Sequence, residues 1–396
     1  MPRPIKTLLF STLFPSSVRP VHGIFVETRL RELLKTGEIE TKVVAPVPWF
    51  PFSGKRLGEY GQFAATPHAE HRNGIEVFHP RYFLPPKIGM NIAPYTLARG
   101  AITTIKELIR DGFDFDLIDA HYYYPDGVAA SMVARQLNKP YVVTARGTDL
   151  NLISEYPRPR RLILETAHHA VGSIGVCKAL MDRLAELGAD TAKLHVMRNG
   201  VDLERFYPID RSEARQRLHF GDDERILLSV GHLVERKGHH LAIEALTALP
   251  KSSILVIAGN GPELASLKEL AEARNLTKRV RLVGEVPNDQ LKWWYSAADV
   301  LVLCSSREGW ANVLLESMAC GTPVVATNIW GTPEVVNSPN VGRLMHTRTS
   351  AALVECLNDL FSYPPSRKAV RQHAECFGWD ATSTAQLNLF GDTVNA

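Results

Sequence analysis

Glu308-Gly-Trp-Ala-Asn-Val-Leu-Leu-Glu316-Ser-Met-Ala-Cys-Gly321-Thr-Pro-Val-Val-Ala-Thr327 decides the fold of this chain. Two carboxylates flank seven residues that fit a short apolar helix, and a Gly-Thr-Pro turn leads into a β-branched run. The segment before it, Ala298 to Cys304, is apolar and β-branched and predicts a buried strand. The unit is therefore strand, loop, helix, turn, strand, the repeat of a parallel α/β sheet. Glu308 falls at the carboxyl end of a strand, where open α/β sheets bind ligands. The helix begins near Ala311 or Asn312, and its free N–H groups and dipole favour an anion such as a diphosphate. Glu316, about one turn inside, is placed to accept hydrogen bonds from sugar or ribose hydroxyls.

Strand-like and helix-like segments alternate on either side of this stretch. Strands are expected at Ile5 to Phe10, Thr41 to Ala45, Leu117 to Ala120, Tyr141 to Thr144, Ala170 to Gly175 and Leu194 to Met197. A second run begins at Ile226 to Gly231 and continues at Ile254 to Ala258, Val280 to Val283, Val300 to Leu303 and Val324 to Ala326. Residues 46 to 96 break the rhythm, being rich in proline and aromatics. They predict a long stretch with one short strand at Ile75 to His79, and a helix is expected only from Thr96. The polar, proline-bearing segment Asn199 to Pro208 places a domain boundary between residues 205 and 206.

Several turns carry candidate chemistry. Gly231-His-Leu-Val-Glu-Arg236-Lys237-Gly238 follows the first strand of the second half. Two cations beside a glycine that allows close backbone approach suit a diphosphate. Gly259-Asn-Gly261-Pro262 is half of a dinucleotide fingerprint, but Leu264 replaces the third glycine, so the signal for NAD is weak. His121, in Asp119-Ala-His-Tyr-Tyr-Tyr-Pro-Asp126-Gly127, stands at a strand end with Asp126 near, and both a structural and a site role fit it. Arg146, in Thr144-Ala-Arg146-Gly-Thr-Asp149, also follows a strand. An arginine there contacts a phosphate or a carboxylated sugar, or pairs with Asp149; the sequence leaves the alternatives open.

Together these features closely resemble retaining glycosyltransferase family 4. They include the E-x7-E pair with Gly309, Gly321 and Pro323, the R-K-G turn, the G-x-G-P turn and the linker Asn199-Gly-Val-Asp202 with Phe206 and Pro208. The resemblance covers both halves, the linker and the tail around His373, Phe377 and Trp379, and is most specific over residues 231 to 334. It implies the GT-B fold, two Rossmann-like domains facing each other across a cleft. Residues 1–205 would bind the acceptor, 206–375 the nucleotide sugar, and 376–396 would cross back onto the first domain. The implied chemistry is transfer of a sugar from a nucleotide-diphosphate sugar, with retention, to a saccharide or lipid-linked acceptor in cell-surface, exopolysaccharide or lipopolysaccharide synthesis. Glu308, Arg236 and Lys237, with His121 and Arg146, form the implied catalytic set. Gly23, Gly231, Val283, Gly309, Asn312, Val313 and Glu316 form the implied nucleotide-sugar set. Cations and the helix N-terminus near Asn312 stand where a metal would otherwise be needed, so neither metal nor bound cofactor is expected.

Two positions depart from the family pattern. Arg146 stands where most members have histidine, and Trp330, in Trp330-Gly331-Thr-Pro-Glu334, replaces the first of two glycines. Two rival functions remain. One is another GT-B enzyme such as a sugar-nucleotide epimerase or phosphorylase, which lacks the combination of E-x7-E with R-K-G. The other is a non-catalytic nucleotide-sugar-binding module, which is expected to have lost Arg236, Lys237 or Glu308.

Composition bounds the rest. The 396 residues suit two or three domains, and a net charge of +3 with no basic run interleaved with aromatics argues against nucleic acid. Five scattered cysteines with no CxxC pair fit a reducing compartment. The apolar run at the N-terminus is too short for a signal peptide and reads as a first strand, and no stretch reaches transmembrane length. A cytoplasmic protein is expected, at most peripheral to the inner face of the membrane. The aromatics and cations of residues 46 to 96, among them Trp49, Phe50, Phe52, Lys55, Arg56 and Lys87, either touch that membrane or pack a subsidiary core.

Overall fold

The computed structural model describes residues 3–85 and 89–395. The chain divides into two compact units, Met1–Arg198 with Asp380–Ala396, and Asn199–Trp379.

The first unit holds strands β1 (Ile5–Phe10), β2 (Ile39–Val44), β3 (Val47–Pro48), β4 (Ala69–Arg72), β5 (Ile75–Phe78), β6 (Arg81–Tyr82), β7 (Leu117–His121), β8 (Tyr141–Ala145), β9 (Gly172–Gly175) and β10 (Leu194–Val196). Eight of them form one sheet in the order β10-β9-β8-β7-β1-β2-β5-β4, while β3 and β6 pair separately. Every pairing in the large sheet is parallel except β4 with β5. β7 and β8 are buried along their whole length, as a sheet covered on both faces requires. β1 lies between β2 and β7, so chain order reverses there. This switch point sets the loop after β1 beside the loop after β7. The last helix, Trp379–Asn395, returns to this unit and buries Phe390 with Leu117, Val142 and Ile174. Complete burial of one such ring contributes roughly 1.5–3 kcal/mol.

Residues 46 to 96 are more regular than expected. They hold the helix Gly58–Ala65 and strands β3 to β6, and the following helix runs Gly89–Arg110 rather than starting at Thr96. Pro94 lies inside that helix and cannot donate to the carbonyl four residues back. The Tyr124 hydroxyl donates to that carbonyl, of Met90, instead. A side chain about thirty positions away therefore repairs the defect that made the helix illegible. Lys87 lies outside the described residues.

The second unit has strands β11 (Arg225–Val230), β12 (Ser253–Ala258), β13 (Val280–Gly284), β14 (Val300–Leu303), β15 (Val324–Thr327) and β16 (Gly342–Met345), in the order β13-β12-β11-β14-β15-β16. All pairings are parallel. The switch point here lies between β11 and β14, which brings the carboxyl-end loops of these two strands together. The sequence places the domain boundary at 205/206 and the return at 376, whereas the units divide at 198/199 and 379/380. The linker and the tail hold each other: Val201 N donates to Phe377 O at 2.9 Å, and Gly200 sits so close to Trp379 that a Cβ would meet its ring at 2.8 Å. The linker therefore packs with the second unit.

Candidate functional site

In the second unit the β11 and β14 loops are built as one piece. The loop after β11 tightens into a single turn at Glu235–Lys237 and ends at Gly238, whose φ is +72°. A Cβ at Gly238 would lie 2.2 Å from Cys304 O, so the loop can rest on the end of β14 only with glycine there. Ser306 N donates to Arg236 O at 2.7 Å, and Arg348 ties Cys304 O to Glu235 with bonds of 2.8–3.0 Å.

Clamped in this way, the three polar residues predicted from sequence meet. Lys237 Nζ donates to Glu308 Oε1 at 2.6 Å, Ser305 Oγ donates to the same oxygen at 2.6 Å, and Arg236 Nη1 lies 3.9 Å away. Arg236 also donates to Arg307 O at 3.2 Å. Glu308 is buried. Burial alone would raise its pKa, but the Lys237 charge and hydrogen bond, Ser305 and Arg236 together outweigh it and hold the carboxyl below its ordinary range. Ser305 was not picked out from sequence, although its place directly after the strand was the available signal.

Six of the remaining nucleotide-set residues lie in the same unit. Gly231 follows β11 directly, and the Lys237 stem passes it: a Cβ there would sit 3.7 Å from Lys237 Cε. Val283 is half-buried near the carboxyl end of β13. Gly309 is buried, and the helix Asn312–Ala319 starts three residues later, packing Leu314, Leu315 and Met318 inward. Val313 is half-buried, and Asn312 Oδ1 accepts from Asn199 Nδ2 at 3.4 Å. Glu316 accepts from the Tyr295 hydroxyl at 2.8 Å, and burial pushes its carboxyl up to about 7. Tyr295 is therefore a partner that sequence reasoning missed. Trp330 keeps φ at +45°, the left-handed conformation that costs a non-glycine residue. The backbone there holds a glycine-like shape around an indole.

In the first unit, His121 and Arg146 touch. The guanidinium donates to His121 Nδ1, and His121 Nε2–H donates to Asp119 Oδ2 at 3.1 Å. These partners fix a neutral ring, and its pKa falls to about 4, chiefly through burial, with Asp119 opposing and Arg146 reinforcing the fall. Asp119 Oδ2 also accepts from Gln386 at 3.0 Å, and Gln386 accepts from the buried Arg29 at 2.8 Å. The Asp149 carboxylate accepts the backbone N–H groups of Arg146, Gly147 and Tyr123 at 2.7–3.2 Å. Asp126 accepts from Thr12 N at 2.6 Å and from the Ser11 and Thr12 hydroxyls. Gly23, at φ +67°, lies so close to Leu13 that a Cβ would be 2.3 Å from its carbonyl. These two contacts shape the loop after β1. Among the described residues, no three His, Cys, Asp or Glu side chains converge as metal ligands, and no helix is long and apolar enough to cross a membrane.

The family described as Glycosyltransferase Family 4 matches residues 28–205, and that described as Glycosyl transferases group 1 matches residues 210–376. A Bacillus subtilis (strain 168) protein assigned as the teichuronic acid biosynthesis glycosyltransferase TuaC is 31% identical over 362 residues, covering 89% of this chain and 88% of its own. D-inositol 3-phosphate glycosyltransferase 1 of Catenulispora acidiphila is 29% identical over 386 residues, covering 90% and 91%. Among solved structures, sucrose-phosphate synthase from Thermosynechococcus elongatus superposes with a TM-score of 0.81 at 20% identity, covering 98% of this chain and 99% of that one. Anabaena HepE in complex with UDP superposes with a TM-score of 0.73 at 19% identity over 98% and 100%. The fold is GT-B, and the chain belongs to the group 1, family 4 glycosyltransferases.

Proposed function

We propose that the chain moves a sugar from a nucleotide-diphosphate sugar, with retention at the anomeric carbon, onto a saccharide or lipid-linked acceptor in the synthesis of a cell-surface polysaccharide. The observation that carries this reading is the cluster of Lys237, Arg236 and ionised Glu308 at the β11–β14 switch point. The cations suit the diphosphate, and the N–H groups at the start of the helix Asn312–Ala319 add donors for it. Lys237 exchanges its contact with Glu308 for the phosphate when the donor arrives. Glu308 is then released to orient the hydroxyls of the donor sugar, and Glu316 with Tyr295 holds the ribose.

The charge of the leaving diphosphate is met by Arg236 and Lys237, so no metal is required, and the leaving phosphate takes the acceptor proton. His121 and Arg146 are assigned to the reaction as the family resemblance implies. HepE structures hold UDP, UDP with glucose, and UDP-glucose, which supports a uridine nucleotide as the first donor to try. The exposed Trp49, Phe52, Tyr60 and Phe83 support a peripheral membrane contact on the inner face. Incubation with UDP-glucose and related nucleotide sugars, followed by NMR of the anomeric proton in product, tests the reading. Inversion, or no nucleotide diphosphate release from any donor, overturns it.

A further inference from the structure

The loop after β1 contains a cation that the transfer chemistry does not use. Ser16 and Arg19 close a turn through reciprocal backbone hydrogen bonds of 3.1–3.2 Å, and Arg19 N also donates to Ser16 Oγ at 3.1 Å. His22 Nε2–H donates to Thr12 O at 3.1 Å, which leaves Nδ1 to accept from Arg19 Nη2 at 3.0 Å. The ring must be neutral to do both, so the imidazole positions the guanidinium without supplying a counter-charge. On its other side the guanidinium lies over the Phe63 ring, 5.1 Å from the centroid.

This half-buried cation faces a cavity of about 210 Å³ whose walls include Pro46, Pro48, Phe63 and Tyr82. Among the described residues no carboxylate lies within 4.0 Å of Arg19. Burial holds its pKa below the ordinary range, and the more distant Glu59 offsets that only in part. A desolvated guanidinium with a free edge, set in an apolar hollow, has the greatest use for an oxyanion that binds it bidentately. The hollow is smaller than the ~300 Å³ at the lower end of sites for drug-sized ligands, so it suits one small group.

We propose that the Arg19 cavity is an anion subsite for the acceptor: Arg19 engages a carboxylate or phosphate on the acceptor, and Pro48, Phe63 and Tyr82 cover the ring or chain that carries it. That the anion belongs to an acceptor rests on the transferase reading; anion binding itself does not. The test is titration of the full-length protein with glucuronate, glucose 6-phosphate and glucose, for wild type, Arg19→Ala and Arg19→Gln. Gln keeps a polar side chain at this position and removes the charge. Wild type is expected to bind at least one anionic sugar tenfold or more tighter than glucose, and both variants to lose that margin. A margin for glucuronate alone assigns the site to carboxylates, and one for glucose 6-phosphate alone to phosphates.

Equal affinity for all three sugars in wild type, or a margin that survives Arg19→Gln, overturns the subsite. Nucleotide-sugar hydrolysis is measured alongside. If wild type hydrolyses no donor, the transferase reading fails while the anion margin still decides the cavity. If Arg19→Gln loses hydrolysis together with the margin, Arg19 serves the donor and the acceptor assignment is overturned.

Discussion

Lys237 Nζ lies 2.6 Å from Glu308 Oε1, across 71 positions of sequence. The cation proposed to meet a phosphate and the carboxylate proposed to orient a sugar are bonded to each other. The pairing keeps both charges tolerable inside the protein, and on the proposed reading donor binding breaks it.

Loss of either partner should therefore act on activity and stability together. Glu308→Gln, Arg236→Ala and Lys237→Ala are each expected to cut transfer by ~10²–10³-fold with the fold intact. Lys237→Ala leaves a buried carboxylate without its main partner, at a cost on the order of 3 kcal/mol near neutral pH. Since the pKa of folded Glu308 is depressed, its contribution is present above the unfolded pKa and lost as pH falls through the folded one. The gap in Tm between wild type and Lys237→Ala should narrow below about pH 4. A gap that stays constant down to acid unfolding, or near wild-type turnover in two of the three variants, would remove the pair from the site.

Glu316 gives the opposite sign. Its pKa is raised from 4.5 to about 7, so the stability it allows is complete below 4.5 and declines as pH rises to about 7. Glu316→Gln should flatten the fall of Tm across that window and weaken nucleotide binding. Tyr295→Phe, which removes the hydrogen bond at 2.8 Å, should push the titration higher still. NMR of the side-chain carboxyl decides the matter: titration at the ordinary value in wild type would refute it.

Transfer should survive chelation. On the proposed reading Arg236 and Lys237 supply the positive charge that the diphosphate needs. Assays in EDTA are expected to match those without it. Activity abolished by EDTA and restored by magnesium or manganese would contradict the assignment.

Arg146 and His121 should be separable by titration. Removing the guanidinium in Arg146→Ala takes a positive charge from the ring while Asp119 stays, so the His121 pKa should rise from about 4. His121→Ala should lower kcat by about 10²-fold, the usual scale for a positioned polar group. An unmoved imidazole titration in Arg146→Ala would mean that the two are not coupled.

The aromatic patch offers a test of membrane contact. Phe50 packs against Phe52 and Tyr60, and Tyr60 against Phe63, with centroids 5.1–6.3 Å apart. Trp49 and Phe52 are nevertheless 55% and 66% exposed, which a purely internal cluster would not leave. Replacing Trp49, Phe50 and Phe52 by Ser should lower vesicle binding and transfer to a lipid-linked acceptor and leave donor hydrolysis unchanged. Equal loss of all three would assign the rings to packing.

The E-x7-E stretch by itself determined the alternation of strand and helix, the carboxyl-end placement of Glu308 and the helix start at Asn312. Those features are local, since residue type and spacing within about twenty positions fix them. The R-K-G turn was legible as two cations beside a glycine that allows close approach, but what the glycine approaches was not: Gly238 rests on Cys304 O, which only strand order brings near. Ser305 stands three residues from Glu308, within reach of a local reading, whereas Tyr295 meets Glu316 only because the helices on either side of β14 pack together. The start of the helix at Gly89 was hidden for the same reason. Pro94 reads as a breaker until the Tyr124 hydroxyl takes over its missing hydrogen bond. The Arg19 cavity was equally out of reach, since its aromatic wall comes from segments that only the fold sets beside the loop carrying its cation and its neutral histidine.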